Sequence, residues 1–254
     1  MERAKEIAIQ CLESLGCDVT DIPETNDKRA DLLATCNGAK YFIEVKQRLE
    51  DPDVRESHLE QMITGKVVNT TESHSYSNRI DGILRHGLKQ ITETPKGDNA
   101  FNLIWFYADG IDADLKVRRA RNTFYGLVPL IPLEEGNQET INCFYFDFST
   151  SYRMPSVQGM VTVDGKGLQL CINEFADRID FFRQSYLVQR LDNAVIDPVA
   201  LVAQGEAIAF RSSISRKEEK AVLEELERTT NRKFVPIRIK RHASSVFVPR
   251  TDTI

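Results

Sequence analysis

The sequence predicts an α/β fold with a mixed central sheet. Three observations carry that expectation: an amphipathic helical pattern at the start, a tight hairpin signal between two short apolar runs, and a nearly continuous apolar stretch close to residue 100. Ala4, Ile7, Ala8, Cys11, Leu12 and Leu15 recur with the helical period, so residues 2–15 form a helix that Gly16 stops. Residues 17–22 read as a short strand, and Pro23 to Lys28 as a polar turn. Ala30–Thr35 is the second strand. Asn37-Gly38 tolerates the positive φ that a two-residue hairpin needs, and Tyr41–Lys46 returns as the third. Residues 49–79 are polar, with a short helix expected over 52–63. Ile80, Ile83, Leu84, Leu88 and Ile91 define a second amphipathic helix ending before Pro95, and Phe101–Ala108 is a strand covered on both sides. The opening order is therefore α-β-β-β-α-β.

Farther along, helices are expected at 112–124, 174–191 and 215–229. Strands are expected at 126–133, 140–149, 207–210 and 234–239, with a hairpin about Asp164-Gly165 joining 160–163 to 168–172. Phe144-Tyr145-Phe146 reads as strand core. The chain divides into a core at 1–133 and a C-terminal mixed α+β accessory region at 134–254, or forms one compact domain.

A chain of 254 residues, 41% hydrophobic, can bury a full core. No stretch approaches the roughly 18 apolar residues of a membrane helix, and the start lacks a signal-peptide core, so a cytoplasmic protein with no membrane partner is expected. The five cysteines, at 11, 17, 36, 143 and 171, are odd in number and scattered, and read as reduced and buried. The histidines at 58, 74, 86 and 242 lack zinc-site spacing. Net charge is -5, yet residues 211–254 carry eleven Lys+Arg against six Asp+Glu, so a basic region coexists with an acidic remainder.

Side chains alternate along a strand, so Glu44, Lys46 and Arg48 share one face. The hairpin pairs their strand with the one bearing Asp31, which can bring a second carboxylate beside Glu44. Two carboxylates and an amine at a sheet edge suit phosphodiester hydrolysis. Hard oxygen ligands bind Mg²⁺ or Mn²⁺ while leaving coordination positions open, and the lysine can orient or deprotonate water or offset transition-state charge. Glu218-Glu219-Lys220 has the same Glu-x-Lys spacing, but it lies in a helical, charge-alternating segment and reads as a solvated face.

Asp31, twelve intervening residues, then Glu44-Val45-Lys46, within an α-β-β-β-α-β order, resembles the PD-(D/E)xK nuclease superfamily. The run Arg29-Ala30-Asp31-Leu32-Leu33-Ala34, turn, Tyr41-Phe42-Ile43-Glu44-Val45-Lys46-Gln47-Arg48 is similar to its Holliday junction resolvase and Mrr-like branches. Ala30 stands where the family name has proline. The resemblance covers about residues 1–110. It implies a restriction-endonuclease-like core and a metal-dependent endonuclease acting on DNA, with Asp31, Glu44 and the Val45 carbonyl holding the metal, Lys46 assisting the attacking water, and a homodimer as a possible assembly. Many members also place a glutamate of the first helix near the metal; Glu2, Glu6 and Glu13 are candidates here, with Glu6 marginally preferred.

Arg48, Arg118, Arg119 and Arg121 are candidate nucleic-acid contacts, and Lys116 belongs to the same basic cluster. Gln90 flanks the second helix's apolar stripe within reach of the active edge; His58, His74 and Tyr76 lie in the polar connection. The basic stretch Lys233 to His242 is a further candidate for gripping a nucleic-acid backbone. The competing readings are a catalytically silent protein of the same fold that binds nucleic acid or a protein partner, and an unrelated metabolic α/β enzyme. The latter lacks any Gly-x-Gly-x-x-Gly or P-loop in its support.

Overall fold

The computed structural model describes residues 2–23, 29–73, 75–92, 100–133, 139–238 and 242–246. Most of the Pro23 to Lys28 turn, His74 and residues 239–241 of the basic stretch lie outside them. The elements are α1 (Glu2–Ser14), β1 (Asp18–Asp21), β2 (Leu32–Cys36), β3 (Ala39–Arg48), α2 (Pro52–Ile63), β4 (Val68–Glu72), α3 (Asn78–Thr92) and β5 (Ala100–Ala108). They continue with α4 (Ala113–Tyr125), β6 (Val128–Pro132), β7 (Ile141–Phe144), β8 (Gly159–Asp164), β9 (Gly167–Ile172), α5 (Ile179–Arg183), α6 (Tyr186–Arg190) and β10 (Val195–Ile196). The chain closes with α7 (Pro198–Ala203), β11 (Ala207–Ala209), α8 (Glu219–Thr230), β12 (Phe234–Pro236) and β13 (His242–Val246).

The central sheet has seven strands in the order β1-β2-β3-β5-β8-β9-β10. β3, β5 and β8 run parallel, whereas β1, β2 and β9 join antiparallel, so the fold is α/β with a mixed central sheet. β5 explains the apolar run. Leu103, Trp105 and Tyr107 pack on one side with α1, α5 and α6, while Ile104 and Phe106 pack on the other with α3 and α4. Strands from both sides of residue 133 share this one sheet. A second sheet, β11-β7-β6-β12, packs its own core against α8 through Val222 and Leu226, and β4 pairs with β13 in a two-stranded ribbon.

Three expectations give way. Cys17 and Cys36 are joined by a disulfide, leaving Cys11, Cys143 and Cys171 free; antiparallel pairing of Asp18 with Thr35 sets the two cysteines across from each other, which their spacing of 19 residues did not reveal. The helix expected over 174–191 is broken, because Arg178 adopts positive φ and Ser185 is extended, so only α5 and α6 form. The strand expected over 140–149 ends at Phe144, since Tyr145 turns into the left-handed region. Phe144, Tyr145 and Phe146 are nevertheless all buried. No helix among the described residues is long and apolar enough to cross a membrane.

Candidate active site

The hairpin register determines the site. Leu32 lies across from Ile43, so one step farther Asp31 comes opposite Glu44 on the sheet face that α3 covers. Asp31 leaves the ladder there and its Oδ2 accepts the Val45 backbone N–H at 2.8 Å, which fixes the aspartate against the strand. Both carboxylates are buried, Asp31 6% and Glu44 1% exposed. The Lys46 ammonium, two residues along the same face, donates to Glu44 Oε1 at 2.5 Å and to Gln90 Oε1 on α3 at 2.7 Å. A lysine has three donors, and among the described residues two of those on Lys46 are taken.

Two residues of α1 and α3 join the cluster without a sequence signal. Lys5 lies 3.2 Å from Asp31 Oδ1 and 3.3 Å from Asp21 Oδ1. The first helix thus brings a cation to Asp31, while Glu2, Glu6 and Glu13 are all exposed. Burial opposes the charge on Lys5, but Asp31 and Asp21 outweigh it and raise its pKa. Gly87 lets α3 approach β3: a Cβ there would stand 3.2 Å from Glu44 Cγ and 3.3 Å from Lys46 Cε. Helical periodicity marks Gly87 as facing inward but cannot reveal what it meets.

Glu44 is electrostatically unusual. Burial, with the nearby charge of Asp31, pushes its carboxyl up to about 7, against the opposing pull of Lys46 and Lys5. Its Oε2 is buried and has no hydrogen-bond partner among the described residues, which is costly for a carboxylate oxygen unless something binds it.

Comparison of the chain with models of protein families, with curated proteins and with solved structures finds no match. Function has to be argued from the site itself.

The remaining candidates are dispersed. Arg48 ends β3, partly exposed, beyond Lys46 on the same face. Arg118, Arg119 and Arg121 lie on α4; Arg118 and Arg121 line a cleft of about 290 Å³ against the β8–β9 hairpin, and none of the three joins the Asp31 cluster. Lys116 is buried and structural, bonding the Asp109 carbonyl at 2.9 Å and pairing with Asp112 at 2.7 Å. His58 pairs with Glu50 at 2.8 Å in a different cavity, which Arg3, Arg55 and Asp109 also line. In the basic stretch Arg238 is held by Asp147 and Glu219, so its charge is already neutralised.

Proposed function

We propose that the chain is a metal-dependent endonuclease with a restriction-endonuclease-like core, hydrolysing phosphodiester bonds in DNA. The observation that carries the reading is the convergence of Asp31, Glu44 and Lys46, with a buried Glu44 oxygen that lacks a partner among the described residues. Asp31, Glu44 and the Val45 carbonyl would hold Mg²⁺ or Mn²⁺, which when bound supplies Lewis-acid polarisation of the phosphate and acidification of water. The donor set fits a hard cation, although no group of three or more His, Cys, Asp or Glu side chains gathers among the described residues. Two carboxylates and a carbonyl leave half of an octahedral shell to water and phosphate oxygens, which suits the several waters that Mg²⁺ keeps. Gln90 and Glu44 fix the Lys46 ammonium, so its remaining N–H can orient a water or meet charge on a phosphate oxygen. A homodimer is the assembly this fold class suggests for cutting both strands.

A second reading has its own support. Lys5 and Lys46 each pair with one of the carboxylates, so both carboxyl groups already have a cationic neighbour without a metal ion, which suits a silent protein of this fold that binds nucleic acid or a partner. A panel of linear, circular, branched and single-stranded DNA, with matching RNA, incubated with Mg²⁺, Mn²⁺ or EDTA separates the two. The nuclease reading expects cation-dependent cleavage that falls at least about 100-fold in Lys46→Ala and in Asp31→Asn. Undiminished cleavage by Lys46→Ala would overturn the assignment. Binding with no cleavage under either cation favours the silent protein.

A further inference from the structure

A cavity of about 360 Å³ opens between the segment following β7 and the loop that joins β11 to α8. It shares no residue with the Asp31 corner, and nothing in the nuclease reading uses it. Its volume falls within the range of small-molecule sites. Three kinds of group meet in its walls.

The first is aromatic. Phe148 is 39% and Tyr152 51% exposed, although both are large rings that a core would take. Each is backed by another ring, Phe148 by Tyr76 with centroids 6.3 Å apart and Tyr152 by Phe175 at 4.0 Å. Scattered exposed apolar residues are ordinary, but two supported rings bordering one cavity form a platform on which a flat ligand can stack.

The second is cationic. Arg153 is exposed, and its side chain makes no hydrogen bond or ion pair among the described residues. Arg216 is half-buried over the Phe210 ring, 4.3 Å from its centroid. Its guanidinium donates to the carbonyls of Phe210 at 2.9 Å, Ser212 at 2.6 Å and Tyr145 at 3.1 Å, and to that of Ile214, but to no carboxylate. Carbonyl dipoles satisfy its donors without cancelling its charge, and burial draws its pKa down accordingly. Asp147 is the one acid among the lining residues, and Arg238 holds both its oxygens, at 2.6 and 2.9 Å. The cavity is therefore left with net positive charge.

The third is hydroxylic. By gathering those carbonyls Arg216 shapes the 212–215 loop, which presents Ser213 and Ser215 to the cavity; the Ser212 hydroxyl is engaged by Glu225, and Ser149 on the opposite wall donates to the Phe124 carbonyl at 2.8 Å. Hydroxyls beside guanidinium groups are the donors that phosphate oxygens select.

From these observations we propose that the cavity binds a nucleotide, its base stacked on Tyr152 and its phosphate held by Arg153 and the serine loop in the field of Arg216. A carboxylate ligand would use the cations but leave the ring platform and the surplus hydroxyls without a role. The proposal does not rest on the nuclease reading.

Isothermal titration of the full chain at low salt in EDTA, with each of the four common nucleoside 5'-monophosphates, their nucleosides and inorganic phosphate, tests it. At least one monophosphate is expected to bind about tenfold tighter than its nucleoside and than phosphate alone. Tyr152→Ala and Arg153→Ala, both at exposed positions, should each weaken that binding about tenfold, Arg153→Ala with an unchanged melting temperature and Tyr152→Ala with cooperative unfolding retained. Arg216→Lys, which keeps the charge but not the fork that shapes the loop, should also weaken it. Lys46→Ala should bind as the wild type does, which separates this cavity from the catalytic corner. Absence of binding at about millimolar monophosphate, phosphate binding as tightly as any monophosphate, or affinity unchanged in both Tyr152→Ala and Arg153→Ala would overturn it.

Discussion

At residue scale, Glu44 holds a proton that an exposed glutamate would have lost, because its carboxyl titrates at about 7 against an ordinary 4.5. Between those values the folded protein keeps the proton and the unfolded chain releases it. The associated stability is fully present below pH 4.5 and is lost as pH rises through 7, amounting to about 3 kcal/mol. Denaturant titrations at pH 5 and pH 8 should therefore show wild type losing about 2–3 kcal/mol more than Glu44→Gln, which has no carboxyl to titrate; equal losses would contradict the buried, protonated state. If Glu44 holds the cation, Mn²⁺ at pH 8 raises the melting temperature of wild type but not of Glu44→Gln. The approach of Asp31 to Glu44 was legible in the sequence because Asn37-Gly38 fixes the hairpin register, and the alternation along β3 put Lys46 on the same face. Lys5 was not legible: the period of α1 shows only that it lies off the apolar stripe, and its ion pair depends on where the helix start meets the sheet.

At the scale of elements, long periodic segments were readable and irregular ones were not. α1, α3, β3 and β5 follow from spacing alone, and the helix expected over 52–63 matches α2. β4 escaped notice because its partner, β13, lies far along the chain and neither strand alternates clearly. The division at 174–191 depended on the backbone angles of Arg178 and Ser185, which apolar spacing does not encode. α3 offers an internal comparison. Gly82 is exposed, and a Cβ there meets nothing within 4 Å, so Gly82→Ala should stabilise the protein by about 0.5–1 kcal/mol through helix propensity. Gly87→Ala gains the same propensity but presses on Glu44 and Lys46, and should fall at least about 1 kcal/mol below Gly82→Ala in denaturant titrations. Equal stabilities would mean that α3 does not press on β3. At the sheet edge, the disulfide predicts three reactive thiols in protein denatured without reductant, and a loss of about 3 kcal/mol on reduction. Five reactive thiols would show the pair unbonded.

At the scale of the whole molecule, chain order and spatial order diverge. The sequence suggests a division after residue 133, yet β5 lies between β3 from the first part and β8 from the second. Composition reports local chemistry, whereas sheet membership depends on pairing partners that lie more than fifty residues away along the chain. A protein cut at 133 would retain Asp31, Glu44, Lys46 and Gln90 but lose β8, β9 and β10. It would also lose α5 and α6, whose Phe182, Leu187 and Leu191 cover the same face as α1. β5 would then present an unpaired edge of nine residues, almost all of them buried in the full chain, and open strands of that kind associate. Expressed alone, residues 1–133 should therefore aggregate or show neither cooperative unfolding nor dispersed amide resonances. A soluble, cooperatively folding 1–133 fragment would establish an autonomous N-terminal domain and reduce the pairing of β5 with β8 to contact between two separable units.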